Sequence, residues 1–245
     1  MERDFLHEKE LTGQTTGHLI WDELDQTYIH KDVSAKFQTL KKLASKEGFT
    51  LGVVSGFRSF DLQKRIIEKK VSGERPILDD SGRIKKVEEL SQSELLFSIL
   101  RWSALPGLSR HHWGTDFDIY DKNTIPKNYA IKLTPDEYEN DGPFTKLSEW
   151  LQELSRSSLN PSLFFPYEED LGGVAREPWH ISFSPLVPQF EKALSHSFFK
   201  RFIEENDIPL KSIILQKSEE IFERFIASSF FQRRPNSSFK ETLTD

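Results

Sequence analysis

The sequence contains no cysteine, and that absence limits what the chain can fold into. No disulfide can brace it, so stability has to come from apolar burial and hydrogen bonding. With 245 residues, 36% of them hydrophobic and 20 of them Phe, the chain can bury a substantial core and is not disordered throughout. This length fits one large domain with an appendage, or two small domains. Thiolate metal sites are also excluded. Any transition-metal site must be built from histidine and carboxylate.

Charge narrows the partners. The formal net charge is −6 and the pI about 5.7, and no basic block stands out, so nucleic acid is not an expected partner. No apolar run reaches the roughly eighteen residues needed to span a bilayer. The opening "MERDFLHEKELTGQ" has no apolar stretch of signal-peptide type. The expectation is a cytoplasmic protein, with a periplasmic or secreted one as the alternative.

Residues 1–31 read as irregular, with strand-like pieces at "HLIW" and "TYIH". Val33, Phe37, Leu40, Leu43 and Ala44 follow helical spacing from Asp32, and Gly48 supplies the stop. "FTLGVVSG" (49–56) predicts a strand running into a turn, and "FDLQKRIIEKK" (60–70) a helix. Asp80-Ser81-Gly82 predicts a hairpin turn, and Ser91 with Glu94 a capping box opening a helix that ends by Pro106-Gly107. "TDFDIY" (115–120) alternates polar and apolar, which puts Asp116, Asp118 and Tyr120 on one strand face and Phe117 and Ile119 on the other. A helix over 144–156 and a strand at "PWHISFS" (178–184) follow. Beyond Pro188, amphipathic helices are expected over 189–205 and 210–226, broken at Pro209, and then a frayed tail.

Seven histidines occur. His7, His18, His30 and His196 sit in isolated polar or helical contexts and read as structural or surface residues. His111, His112 and His180 have acids close by. Asp118 lies seven residues after His111, across Gly114, and Glu177 lies three before His180. A catalytic zinc site takes three His or carboxylate ligands and leaves a position for water. Hydrolysis needs a further carboxylate to take the water's proton. The two segments hold such a set, although strand-edge histidines paired with acids would give the same spacing. Arg58, after a strand–glycine turn, is placed either to enter a cleft and hold a carboxylate or oxyanion, or to stay on the surface.

"SGFRSFDLQ", "PGLSRHHWGTDFD" and "EPWH" occur here in the order of the motifs of the zinc D-alanyl-D-alanine carboxypeptidase and dipeptidase family. That family includes the vancomycin-resistance peptidases and related L,D-carboxypeptidases. The chain resembles it over roughly residues 10–188. Its pattern S-x-H-x-x-G-x-A-x-D, then E-x-W-H, maps onto Ser109, His111, Gly114, Asp116, Asp118, Glu177, Trp179 and His180. Asp116 stands where the family usually has alanine, so two aspartates share the face, and the motif register favours Asp118.

The resemblance implies an α+β fold, a central antiparallel sheet flanked by helices as in Hedgehog-type domains, with a C-terminal helical extension. It divides the chain into a zinc peptidase domain (1–188), the extension (189–226) and a flexible tail (227–245). It implies one Zn²⁺ per chain on His111, Asp118 and His180, with Glu177 as general base and Arg58 stabilising the tetrahedral intermediate or holding the peptide. Gln63 and Ser109 become secondary substrate contacts. Asp116 becomes a residue orienting a ligand histidine or pairing with an Arg, Trp179 a packing residue, and His112 a non-ligand lining the cleft. The implied partner is a peptidoglycan-derived peptide, trimmed of a C-terminal D-amino acid. An L,D-carboxypeptidase, a stem-peptide endopeptidase, and a non-catalytic cell-wall-binding module with a structural metal remain as alternatives.

Overall fold

The computed structural model describes residues 8–231 apart from 80–82, 126, 161 and 185. A short helix α1 (Glu8–Leu11) precedes a hairpin of β1 (Leu19–Asp22) and β2 (Thr27–His30), the two strand-like pieces noted near the N-terminus. Helix α2 (Lys31–Lys46) then buries Val33, Phe37, Leu40 and Ala44 along one face. Strand β3 (Leu51–Ser55) leads into α3 (Phe60–Val71), whose N-cap Ser59 accepts a hydrogen bond from the Leu62 amide. Strands β4 (Ile77–Leu78) and β5 (Ile84–Lys85) pair across the expected hairpin turn, which itself lies outside the described residues. Helix α4 (Gln92–Leu100) opens with the Ser91–Glu94 capping box.

Strand β6 (Asp116–Asp121), helix α5 (Thr145–Arg156), and strands β7 (Leu163–Phe164) and β8 (His180–Phe183) complete the body. The main sheet has the order β3-β6-β8-β7 and is antiparallel throughout. Its apolar face carries Phe117, Ile119, Ile181 and Phe183 into a core closed by α2 and α5. The Phe37 and Phe117 rings stack with centroids 4.4 Å apart. The body is thus the expected helix-flanked antiparallel sheet. Strand β7, too short for a periodic signal, was not anticipated.

The C-terminal helices are more broken than their apolar spacing predicts. The helix expected over 189–205 is two, α6 (Val187–Ala193) and α7 (His196–Glu205). Ser195 caps the second by accepting from the Phe198 amide, which ends the first. After Pro209 come α8 (Lys211–Gln216), α9 (Ser218–Ile221), a π-helical stretch (Phe222–Ala227) and α10 (Ser228–Phe231), so helix persists past residue 226. The rest of the expected tail, 232–245, lies outside the described residues. Phe190, Phe199 and Phe202 join Leu100, Leu105 and Trp113 in one apolar cluster, with Phe190 stacked on Trp113 at 4.8 Å. No helix among the described residues is long and apolar enough to cross a membrane.

Phe117 is wholly buried between Phe37 and Phe183. Phe117→Ala is expected to lower stability by about 3–5 kcal/mol, the usual cost of a large aromatic-to-alanine cavity. Denaturant unfolding of the two proteins measures it.

Candidate metal centre

The pairing of β6 with β8 sets Asp118 opposite His180 and Asp116 opposite Ser182. All four side chains are buried on the face turned away from the aromatic core. Across β6, the register with β3 shifts at Val54, and the shift brings Ser55 opposite Asp118. His111 comes from a one-turn 3₁₀ helix (Arg110–Trp113) that leads through Gly114 into β6. Gly114 has φ +68°, and a Cβ there would lie 2.6 Å from Leu19 Cδ2 and 2.9 Å from the His30 amide nitrogen. Both the backbone conformation and the space require glycine.

His111 Nδ1 lies 2.8 Å from the Gly56 carbonyl oxygen. A carbonyl only accepts, so Nδ1 carries the proton and Nε2 presents a lone pair. That lone pair faces Asp118 Oδ2 at 3.3 Å. Burial lowers the His111 pKa against the pull of Asp118, so the ring is neutral and two acceptors face each other. Asp118 Oδ1 is buried without a hydrogen bond, 3.3 Å from His180 Nδ1. Donor atoms of His111, Asp118 and His180 all lie within 4.8 Å of one another. Two donors at ~2.0–2.1 Å from a tetrahedral ion stand roughly 3.4 Å apart. The spacings, the facing lone pairs and the orphaned oxygen together fit a shared divalent cation.

Asp116 is turned to other duties. Its Oδ1 accepts from His180 Nε2 at 3.0 Å and from Arg110 Nε at 2.8 Å. Its Oδ2 accepts from Ser182 Oγ at 2.9 Å and Thr115 Oγ1 at 2.5 Å. With its lone pairs so used, Asp116 fixes the His180 ring and leaves Nδ1 to the group of three. Burial alone would raise its pKa, but the Arg110 charge and these hydrogen bonds hold it well below the usual carboxylate range. Arg110 also meets Glu191 Oε1 at 3.2 Å and lies over the Trp113 and Phe164 rings, 4.7 and 5.5 Å from their centroids. For His180, burial lowers the pKa, and the hydrogen bond to Asp116 together with the nearby Asp118 and Glu177 carboxylates more than offsets this, holding it well above the ordinary value.

Glu177 Oε2 lies 3.2 Å from His180 Nδ1, outside the group of three. Arg58 approaches Asp118 Oδ2 at 3.8 Å, held by Gln63 Oε1 at 2.8 Å and Ser55 Oγ at 2.9 Å. Its loop is laced to the 3₁₀ turn, the Arg58 amide donating to the His111 carbonyl and the Arg58 carbonyl accepting from His112 Nδ1. A cleft of about 250 Å³ is lined by Arg58, Ser109, His111, Asp118, Glu177 and His180, among others, with Trp179 in its wall.

Two residues expected at the cleft lie elsewhere. Gln63 is fully buried, its amide shared between Arg58 and the Ala104 carbonyl, so it supports Arg58 and does not face a substrate. His112 is buried behind the turn, its Nε2 accepting from the Gly107 amide at 2.9 Å. Burial pushes its pKa down to about 3, so it stays neutral. Arg110, Tyr167 and Glu191 were missed by sequence reasoning. Arg110 sits inside the quoted motif and an Arg beside a buried Asp was a usable signal. Tyr167 packs edge-on against His180 at 4.9 Å, and neither it nor Glu191 carries a local one.

A buried His₂Asp group with a separate glutamate, seated on a helix-flanked antiparallel sheet, defines a hydrolase-type metal site. The profile of the VanY D-alanyl-D-alanine carboxypeptidase family matches residues 26–186, and the chain belongs to that family. An uncharacterised protein of Haemophilus influenzae is 35% identical over 118 residues, 48% of this chain and 89% of that protein. Among solved structures, VanYB in complex with D-alanine-D-alanine is 19% identical, with a TM-score of 0.49 over 77% of this chain and 89% of that one. The vancomycin-resistance D,D-pentapeptidase VanY in complex with Zn(II) is 20% identical, with a TM-score of 0.48 over 74% and 89%.

Metal binding is expected to expel a proton. His180 holds its proton above the ordinary histidine range, and a ligand imidazole must be neutral. Metal affinity therefore rises with pH, by about tenfold per unit below the His180 pKa. Calorimetric titration in buffers of different ionisation enthalpy counts the proton released. Asp116→Asn is expected to weaken metal binding by about 10–100-fold, the usual effect of losing the partner that orients a ligand histidine. Competition with a chelator measures it.

Proposed function

We propose that this protein is a zinc-dependent carboxypeptidase that removes the C-terminal D-amino acid from peptidoglycan-derived stem peptides. One observation carries the reading. His111 Nε2, Asp118 and His180 Nδ1 converge while a second acid, Glu177, stays outside the group at the wall of the same cleft. A purely structural site has no need of that glutamate. The VanY family supports the D-alanyl substrate, and two imidazoles with one carboxylate suit zinc.

His111, Asp118 and His180 would hold one Zn²⁺ per chain. Bound there, zinc supplies Lewis-acid polarisation and makes hydroxide accessible near neutral pH. Glu177 takes the proton of the attacking water and returns it to the leaving amine as the C–N bond breaks, so water adds across the peptide bond. Arg58, held by Gln63 and Ser55, places a half-buried guanidinium against the oxygen that becomes negative in the tetrahedral intermediate. Ser109 lines the same cleft as a polar contact for the peptide. Asp116 and Arg110 keep the His180 ring from turning.

Zinc-loaded protein is expected to release D-alanine from tetra- or pentapeptide stem peptides, and a chelator to stop the release. Glu177→Gln is expected to lower kcat by about 10²–10⁴-fold, the range for a lost general base, with metal affinity within a few-fold of wild type. Full activity in that variant would remove Glu177 from the proton path.

A further inference from the structure

Lys70, a buried cation of the cleft wall, has no part in the chemistry above. Helix α3 buries Gln63, Ile67 and Lys70 on a single face. Lys70 is only 6% exposed and lines the cleft together with Arg58, Arg75, Ser103 and Glu177. Its Nζ donates to Ser103 Oγ at 2.7 Å. Among the described residues no carboxylate forms an ion pair with it. Burial, then the repulsion of Arg75, pushes its pKa down to about 8, with Glu177 the acid pulling the other way. Burying an ammonium without an acidic partner is costly, and here the cost falls at the wall of a ligand cleft in a chain of net charge −6.

Lys70 and Arg58 are anchored on the same stretch of chain. Gln63 bonds Arg58 with its oxygen and the Ala104 carbonyl with its nitrogen, while Lys70 bonds Ser103. Lys70 is thus tied to Ser103 directly, and Arg58 to the adjacent Ala104 through the Gln63 side chain. Arg58, Lys70 and Glu177 line the one cleft, and the Glu177 charge acts on both cations, so a peptide whose scissile carbonyl meets Arg58 has the ammonium in the same cleft for a carboxylate. Resting on the hydrolase reading, we propose that Lys70, with Ser103 and with Arg75 at the rim, forms a carboxylate-binding subsite that recognises the anionic end of the peptide beside the scissile bond. A cleft with this subsite takes the last residue of a chain in preference to an internal bond.

Peptide carboxylates come from two sources, the C-terminus and acidic side chains, and binding to metal-loaded Glu177→Gln protein separates them. The probes are a stem pentapeptide, its C-terminal amide, and the pentapeptide with its side-chain carboxylates amidated. Adding Lys70→Met is expected to raise Kd for the free acid by about 10–100-fold. Lys70→Arg is expected to restore most of it, and circular dichroism checks that both variants fold. The C-terminal amide is expected to bind equally to the lysine and methionine proteins. A Lys70-dependent loss on side-chain amidation instead assigns the same subsite to an upstream carboxylate. Equal binding of the free acid by the lysine and methionine proteins, or none by either, overturns the subsite. Intact Lys70-dependent binding without D-alanine release by zinc-loaded wild type would defeat the hydrolase reading alone.

Discussion

The site depends on one pairing, the antiparallel register of β6 against β8. It sets Asp118 opposite His180 and Asp116 opposite Ser182. Because strand side chains alternate, it also turns Phe117 and Ile181 into the core. A slip of one residue would drive the aspartates into the aromatic layer and expose the phenylalanines. Stacking of Phe117 on Phe37 is therefore one of the forces that hold Asp118 in place. Core packing and ligand geometry are two faces of the same strand.

Around that pairing the chain buries an unusual amount of charge. Asp116, Asp118, Arg110, His111 and His180 are each at most 5% exposed. Isolated, any one of them would be strongly unfavourable. The interior tolerates them because each charge has named partners: Arg110 with Asp116 and Glu191, and Asp116 with His180, Ser182 and Thr115. Asp118 is the exception, with one oxygen left without a hydrogen bond. A cation at that point would offset a cost the protein otherwise bears.

Much of this was legible in the sequence because the signals were local. The alternation in "TDFDIY" placed both aspartates on one face, Ser91 and Glu94 formed their capping box, and Gly114 marked the turn that His111 rides on. What local spacing could not supply was direction and depth. Gln63 and His112 sit beside cleft residues in sequence, yet their hydrogen bonds run inward, to Arg58 and Ala104, and to Gly107. The motif register favoured Asp118 over Asp116, but it could not show that the Arg110 guanidinium claims Asp116. Helix breaks beyond Pro188 depended on a capping serine, Ser195, competing with apolar periodicity. Glu191 was invisible because its partner lies 81 residues away in the chain.

That last contact has a consequence for where the working unit ends. The VanY profile stops at residue 186, but Glu191 reaches back from α6 to Arg110, which grips Asp116, which fixes His180. Phe190, its neighbour, stacks on Trp113 in the turn that carries His111. Two adjacent residues of α6 thus touch the supports of His180 and His111, one by charge and one by packing. The helices after the sheet belong to the scaffold of the site as much as the strands do. Sequence that looks like an appendage from the standpoint of the family serves as a back wall from the standpoint of the metal.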